Sequence, residues 1–189
     1  MRALLDRLPA RALLVLDEAY RLYADAADVP DGVAELRRDP RVLVLRTFSK
    51  TYGLAGLRVG YLLADAAIID VLARVRDVFA VNAMAQAAAV AALADEDHLA
   101  RTLDTNRQGR VLLSAACAER GLDCPSSEAN FVWLDTGTAA DAVWDRLLEH
   151  GVVTRNGAMW AAPRHLRVTV GISAQVERFV AALDESLAG

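Results

Sequence analysis

The sequence predicts an α/β fold: a mixed three-stranded sheet with helices, followed by a small α+β domain. Two short apolar runs, Ala12–Leu16 and Val42–Leu45, each end in polar residues, as the strands of an open α/β sheet do. The segment between them is long enough for a crossover helix, so we expect the two strands to be parallel. After an alanine-rich helical region the pattern changes to short strands between helices. We therefore expect two domains, residues 1–95 and residues 96–189.

The remaining elements of residues 1–95 follow from spacing and composition. The run Ala12–Leu16 is continuous, which is typical of a strand buried on both faces. A third strand candidate, Leu57–Leu63, follows the second after only about ten residues, so we expect it to pair antiparallel. Alanine-rich sequence from Asp65 to Asp95 predicts helix, with a break at 78–82 where β-branched and aromatic residues interrupt the helix formers.

Residues 96–189 alternate between helical and strand-like segments. Gly121 is a suitable residue for the end of a long helix that begins near Asp95 or Asp97. The later segments are a strand at 129–134, a helix capped by the Thr138–Asp141 segment and ending at Gly151, short strands at 152–155 and 166–170, and a terminal helix capped by Ser173.

Composition narrows the classes of function. The net charge is −4 and the arginines are interleaved with acidic residues, so the chain has no basic footprint for nucleic acid. The opening segment reads as an amphipathic helix with charges in its apolar run, and we expect no membrane association and a cytoplasmic location. Cys117 and Cys124 predict neither a disulfide framework nor a zinc site, and no pair of histidines has metal-ligand spacing. We therefore expect no metal.

Lys50 is the only lysine among 189 residues, beside twenty arginines. Guanidinium stays protonated in proteins, whereas an ammonium group can lose its proton and attack a carbonyl. The composition therefore raises the hypothesis that Lys50 forms a Schiff base, against the alternative that it is a surface lysine kept by chance.

Asp17 and Lys50 both follow predicted strands, at the edge where open α/β sheets bind ligands. A carboxylate and a lone lysine suit pyridoxal phosphate, which needs a lysine for its aldehyde and a carboxylate for its ring nitrogen. Tyr20 is a candidate donor to the phenolic oxygen of the ring. Candidates for the phosphate are Thr47, Ser49 and Arg58, near the glycines Gly53, Gly56 and Gly60.

Two motifs carry a resemblance to a known family. Asp17-Glu-Ala-Tyr20 and Ser49-Lys50-x-x-Gly53-Leu-Ala-Gly-Leu-Arg58-x-Gly60 resemble the fold-type I, class I/II aminotransferases, and most closely their histidinol-phosphate aminotransferase branch. Later segments are similar to that branch in order and approximate spacing: Val81-Asn82-x-x-x-Gln86, Pro125-Ser-x-x-Ala129-Asn-Phe131, Gly151–Arg155 and Leu166–Gly171.

The resemblance implies a role for each matching residue. Lys50 would hold the cofactor pyridoxal phosphate and then move the proton at the substrate α-carbon. Asp17 would pair with the ring nitrogen, Tyr20 with the ring oxygen, and Thr47, Ser49 and Arg58 with the phosphate. Arg167 would bind the carboxylate of the amino or keto acid substrate, and Arg155 the phosphate of histidinol phosphate or a neighbouring group. Residues 1–95 would be the C-terminal part of the cofactor-binding large domain, residues 96–189 the small domain, and the full-length parent a homodimer.

The resemblance also marks what the chain lacks. Family members carry a further segment before the strand that ends at Asp17, so we interpret this sequence as the C-terminal portion of such an enzyme, with little transaminase activity alone. Two related activities stay open, those of an aromatic amino acid aminotransferase and of a phosphothreonine-type decarboxylase. A non-catalytic remnant that acts only as a binding module is the alternative from another class.

Overall fold

The computed structural model describes residues 2–188, with the side chains of residues 3–188. The chain divides into two compact units, Met1–Leu99 and Ala100–Gly189. Within the described residues, no helix is both long enough and apolar enough to cross a membrane.

The first unit contains a mixed sheet and short helices. Its elements are α1 (Arg2–Leu5), β1 (Leu14–Asp17), a 3₁₀ turn (Arg21–Tyr23), α2 (Gly32–Leu36), β2 (Val42–Thr47), a second 3₁₀ turn (Ala55–Leu57), β3 (Gly60–Leu63), α3 (Ala66–Val75) and α4 (Ala83–Ala94). Helix α5 (Glu96–Glu119) begins in this unit and continues into the second.

The sheet of the first unit has the order β1-β2-β3, with β2 in the centre. Strand β1 is parallel to β2, in a register that places Asp17 beside Leu45. Strand β3 is antiparallel to β2, and Thr47 lies opposite Gly60. Both predicted strand directions are confirmed. The register places the carboxyl ends of β1 and β2 at one edge of the sheet, where Asp17 and the segment after Thr47 lie.

Burial separates the central strand from the edge strand. Val42, Leu43 and Val44 of β2 are buried, so both faces of the central strand are covered. In β1 the side chains alternate, and Val15 is 53% exposed. The prediction that the first strand is buried on both faces is therefore wrong for this chain. Leu14 and Leu16 of β1 pack against the core, whereas nothing in the described chain covers the other face.

The predicted helical region is two helices, α3 and α4, and the break between them is longer than expected. Asp65 caps α3 by accepting a hydrogen bond from Ala67 N at 2.9 Å. Asn82 caps α4 in the same way, since its Oδ1 accepts from Ala85 N at 2.9 Å. Phe79 lies in the connection with a φ of 61°. That left-handed conformation keeps the connection between the two helices non-helical.

The second unit packs helices on one face of an antiparallel sheet. After α5 come β4 (Phe131–Asp135), α6 (Ala140–Glu149), β5 (Arg155–Asn156), a 3₁₀ turn (Gly157–Trp160), β6 (His165–Thr169) and α7 (Ser173–Ala188). The sheet order is β4-β6-β5, and both pairings are antiparallel. Its core contains fully buried leucines from both helices and strands: Leu113, Leu134, Leu147, Leu166 and Leu183.

Two local predictions in this unit are wrong. Strand β5 is only Arg155–Asn156, and the residues before it serve other contacts: Val152 N donates to Leu147 O at 2.8 Å and closes the last turn of α6 around Gly151. The cap of α6 is Ala139, without a side-chain hydrogen bond, whereas Thr138 only offers its carbonyl oxygen to the Thr136 hydroxyl.

Candidate active site

Lys50 lies in a tight turn directly after β2. The turn is closed by a hydrogen bond from Gly53 N to Lys50 O at 2.9 Å, and Gly53 takes a φ of 71°. The residues around Lys50 anchor it, because Phe48 is 5% exposed and Thr51 is 2% exposed. Tyr52 packs on the Phe48 ring, with 5.0 Å between ring centroids. Lys50 itself is half-buried, and the turn that carries it is anchored by the buried side chains on either side.

Asp17 and Tyr20 come to the same edge of the sheet as Lys50. The Lys50 Nζ lies 5.3 Å from the centroid of the Tyr20 ring, which is cation–π distance. Asp17 is the last residue of β1 and is exposed, and its Oδ1 accepts from Ala19 N at 3.0 Å. That hydrogen bond orients the carboxylate at the strand end. An amine, a phenol and a carboxylate are therefore presented at one end of two parallel strands.

Thr47, Ser49 and Arg58 surround the same turn. Thr47 Oγ1 accepts from Ser49 N at 3.0 Å. Arg58 takes the left-handed conformation, with φ 54° and ψ 46°, and its Nη1 donates to Ala55 O at 2.9 Å. A non-glycine residue in that region is strained, and such strain concentrates at functional sites. The Arg58 guanidinium is exposed. The next residue, Val59, accepts a hydrogen bond from Phe48 N, which holds this segment beside the Lys50 turn.

Sequence reasoning missed the ionic contact beneath this edge. Glu18 accepts hydrogen bonds from Arg46, and Arg46 also bonds Tyr61. Burial acts against the charge of Arg46, but the hydrogen bonds to Tyr61 and Glu18 outweigh it and raise the pKa of Arg46. The signal in the sequence was a charged residue at the end of each of two neighbouring apolar runs.

Tyr23 lies beneath the Lys50 turn. Burial raises its pKa, and a hydrogen bond with Thr51 opposes that shift. Tyr23 is only 6% exposed, so the phenol is a buried support for Thr51, the residue after Lys50.

Arg155 and Arg167 form a group in the second unit. They are direct cross-strand neighbours in the β5–β6 pair. The Arg167 guanidinium carbon lies 4.0 Å from the centroid of the Phe131 ring, which holds it against the sheet. Arg155 is exposed. Two guanidinium groups on one face of a sheet can bind an anion by forked hydrogen bonds.

Asn82 and the three tryptophans have structural partners. Asn82 caps α4, as described above. Trp144 donates from Nε1 to Thr154 O at 3.1 Å. Trp133 stacks on His165, with 5.2 Å between ring centroids, and meets Trp160 edge-on at 5.7 Å, so these rings pack against each other. The Asn130 Oδ1 is buried and makes no hydrogen bond within the described residues.

The model of one protein family, aminotransferase class I and II, matches residues 1–183. The chain belongs to this family. The match covers both compact units of this aminotransferase chain, including every candidate site residue.

Curated relatives of this aminotransferase chain are histidinol-phosphate aminotransferases. Histidinol-phosphate aminotransferase 2 of Pseudomonas fluorescens is 48% identical over 184 residues, which are 97% of this chain and 50% of that protein. Histidinol-phosphate aminotransferase 1 of Nitrosococcus oceani is 44% identical, over 99% of this chain and 50% of that protein. The chain thus spans about half the length of the curated relatives it matches.

Solved structures agree with the aminotransferase fold. Histidinol-phosphate aminotransferase from Sinorhizobium meliloti, in complex with pyridoxal-5'-phosphate, superimposes with a TM-score of 0.90 and 35% identity, over 98% of this chain and 52% of that one. L-threonine-O-3-phosphate decarboxylase from Porphyromonas gingivalis superimposes with a TM-score of 0.80 at 24% identity, over 93% of this chain and 55% of that one. The second similarity concerns the fold alone.

Proposed function

We propose that this chain is part of a pyridoxal-phosphate-dependent aminotransferase of histidine biosynthesis, acting on histidinol phosphate with 2-oxoglutarate and glutamate as the other pair. The observation that carries the proposal is the position of the only lysine, with its Nζ 5.3 Å from the Tyr20 ring at the strand end that also presents Asp17. The 48% identity to a curated histidinol-phosphate aminotransferase supports the choice of substrate.

The donor set at this edge fits pyridoxal phosphate. When bound, the cofactor supplies an electron sink for negative charge at the substrate α-carbon. Lys50 offers the one side-chain amine that can hold an aldehyde, and its Nζ accepts and returns the α-carbon proton. The Asp17 carboxylate keeps a proton on a ring nitrogen by charge. Tyr20 offers a hydroxyl to a ring oxygen.

Three further residues have the chemistry to hold the cofactor phosphate. Thr47 and Ser49 carry hydroxyl groups beside the Lys50 turn, and Arg58 carries an exposed guanidinium held to Ala55 O. Hydrogen bonds from a cation to a phosphate are about twice as strong as those between neutral groups. We assign the phosphate to these three residues.

Arg167 and Arg155 are assigned to the substrate. Arg167 is fixed against Phe131 and is suited to a two-pronged grip on a carboxylate, which is common to amino acid and keto acid substrates. Arg155, the exposed cross-strand neighbour, is assigned to the phosphate of histidinol phosphate. Glutamate carries two carboxylates, and the phosphate of histidinol phosphate carries nearly two negative charges, so either substrate offsets the repulsion between two neighbouring arginines.

The domain roles and the assembly are part of the same proposal. Residues 1–95 contribute to the cofactor-binding domain, and residues 96–189 form the small domain. The complete enzyme is a cytoplasmic homodimer, and this polypeptide alone has little transaminase activity, because it covers about half of each relative.

Competing substrates distinguish this proposal from its rivals. The protein is loaded with pyridoxal phosphate and titrated with histidinol phosphate, phenylalanine and phosphothreonine, while the visible absorbance band is followed. We expect histidinol phosphate to half-saturate the change in absorbance at a concentration about tenfold lower than phenylalanine does, because only histidinol phosphate has a phosphate for Arg155. Arg155→Gln should remove that preference. Tighter binding of phenylalanine or phosphothreonine would contradict the choice of histidinol phosphate as the substrate. The absence of any absorbance band would favour a non-catalytic binding module.

A further inference from the structure

Three polar side chains form a row across the sheet of the first unit, one from each strand or its end. Arg46 of β2 lies opposite Tyr61 of β3. On the other side, Glu18 N donates to Leu45 O at 2.9 Å and so extends the parallel ladder by one residue beyond Asp17. Glu18, Arg46 and Tyr61 therefore lie side by side on successive strands of the sheet. We call these three residues the polar row.

Both oxygens of Glu18 accept hydrogen bonds, one within the polar row and one from Gly32. Its Oε2 accepts from Arg46 Nε at 2.9 Å and from Arg46 Nη2 at 2.8 Å. Its Oε1 accepts from Gly32 N, at the start of α2, at 2.8 Å. The Glu18 side chain is 8% exposed and that of Arg46 29%. A two-pronged pair with this little exposure has a single geometry, unlike an exposed ion pair.

Gly32 allows this arrangement. A Cβ built at Gly32 would lie 2.4 Å from Glu18 Oε1. No other amino acid fits there without moving the carboxylate. The close approach of α2 therefore holds Glu18 in place on the side away from Arg46.

Alternation along the strands relates the polar row to the candidate cofactor site. Successive side chains of a strand point to opposite faces, so Asp17 and Thr47 point away from the face of Glu18 and Arg46. Each is the immediate neighbour of a member of the polar row. The ion pair thus clamps the backbone of two strand ends that carry the candidate site residues.

Strand β1 needs such a clamp. It has four residues, it is an edge strand with β2 as its one neighbour in the sheet order, and one of its faces is exposed at Val15. Beyond Asp17, the Glu18 N–H bond to Leu45 is the one further ladder hydrogen bond within residues 2–188. Tyr20 and Tyr23 contact the Lys50 turn further along the chain, and the side-chain pair adds a link at the end of β1 itself.

We propose that the polar row is a positioning device that sets the spacing between Asp17 and the Thr47–Lys50 segment. The proposal rests on the proposed function, because the spacing matters only if both segments hold one ligand. Glu18 and Arg46 act through the backbone and do not touch the cofactor. Tyr61 orients Arg46 from the other side.

The test compares Glu18→Gln with Glu35→Gln. The first variant keeps an oxygen for Gly32 N but removes the charge that faces Arg46. The second removes the charge of Glu35 from its pair with Arg38, which follows the end of α2; the two groups are 3.0 Å apart, in the same unit but outside the polar row. Amide hydrogen exchange read by mass spectrometry needs no cofactor. We expect exchange about tenfold faster in residues 16–20 and 47–51 of Glu18→Gln and unchanged in the rest of the unit and in Glu35→Gln.

A second readout uses pyridoxal phosphate itself. We expect Glu18→Gln to bind it about tenfold more weakly and to shift the pH midpoint of the absorbance band, while Arg46→Lys, which keeps the charge but not the fork, is affected less. Uniformly faster exchange across the unit, with unchanged affinity and pH midpoint, would overturn the positioning role and leave the proposed function intact. A wild-type protein that takes up no pyridoxal phosphate would overturn both.

Discussion

Arg155 lies directly opposite Arg167 across the β5–β6 pair of the second unit. Like charges at opposite positions of antiparallel strands repel each other, and an anion bound between the guanidinium groups would reduce that repulsion. The repulsion is a reason to regard the pair as a binding feature of the chain. It also makes the pair measurable without turnover.

Arg155→Gln should therefore stabilise the protein at low salt, by about 0.5 kcal/mol in the free energy of unfolding. Urea unfolding measures the change, and added phosphate should reduce the difference between variant and wild type. Arg101→Gln, at an exposed position of α5, is the control. A loss of stability in Arg155→Gln at low salt would show that the arginine makes favourable contacts instead.

Phe79 combines a left-handed backbone with an exposed ring, since its φ is 61° and its side chain is 93% exposed. Phe79→Asn should raise the free energy of unfolding by about 1 kcal/mol, because Asn tolerates this conformation better than an aromatic residue. It should also lower self-association in sedimentation experiments, because apolar surface is lost.

Val78→Asn is the matched control for that prediction. Val78 is 80% exposed and is not among the residues with positive φ. It should reduce self-association without gaining stability. Equal stabilisation by both substitutions would show that the gain does not come from the left-handed backbone at Phe79.

Apolar runs and spacing were sufficient to predict the first sheet. The run Val42–Leu45 became the central strand, and the short connection to the third strand correctly implied an antiparallel pair. Asp17 and Lys50 reach the same edge for the reason the sequence suggests, namely that both follow parallel strands.

What the sequence could not predict depends on contacts between distant residues. The polar row requires the register of three strands, and nothing local to Glu18 reveals Arg46 as its partner. Strand β5 is short because Val152 N binds Leu147 O and Trp144 Nε1 binds Thr154 O, two contacts that no pattern at 152–155 contains. The exposed face of β1 depends on the rest of the sheet, which the run of apolar residues does not describe.

Gly109 tests the packing of α5 on the second sheet. Gly→Ala in a helix normally stabilises by roughly 0.5–1 kcal/mol. Here a Cβ would lie 2.4 Å from Val170 Cγ1 and 2.9 Å from Gly171 O, so we expect Gly109→Ala to destabilise by about 1–3 kcal/mol.

Thermal or urea unfolding measures the effect, and the double variant Gly109→Ala/Val170→Ala should recover part of the loss, since it removes one of the two clashing groups. Stabilisation by the single substitution would mean that α5 can move away from β6 without cost.

Cys117 makes stability depend on pH in the alkaline range. Burial raises the pKa of its thiol from 9.0 to about 12, with a smaller contribution from Cys124. The folded protein therefore prefers the neutral thiol, and its contribution to stability is complete below pH 9 and is lost as the pH rises toward about 12. Cys117→Ala should flatten the decline of unfolding free energy over this interval. An unchanged decline would assign it to other groups.

Lys50 allows the most direct test of the central claim, that the chain binds pyridoxal phosphate through its one lysine. Pyridoxal phosphate is added to the protein, the adduct is fixed with borohydride, and the labelled peptide is identified by mass spectrometry, with Lys50→Arg as the control. The account predicts a visible absorbance band in the wild type, a label on Lys50, and neither in the variant. A label confined to the N-terminal amine, or equal labelling of the variant, would contradict it.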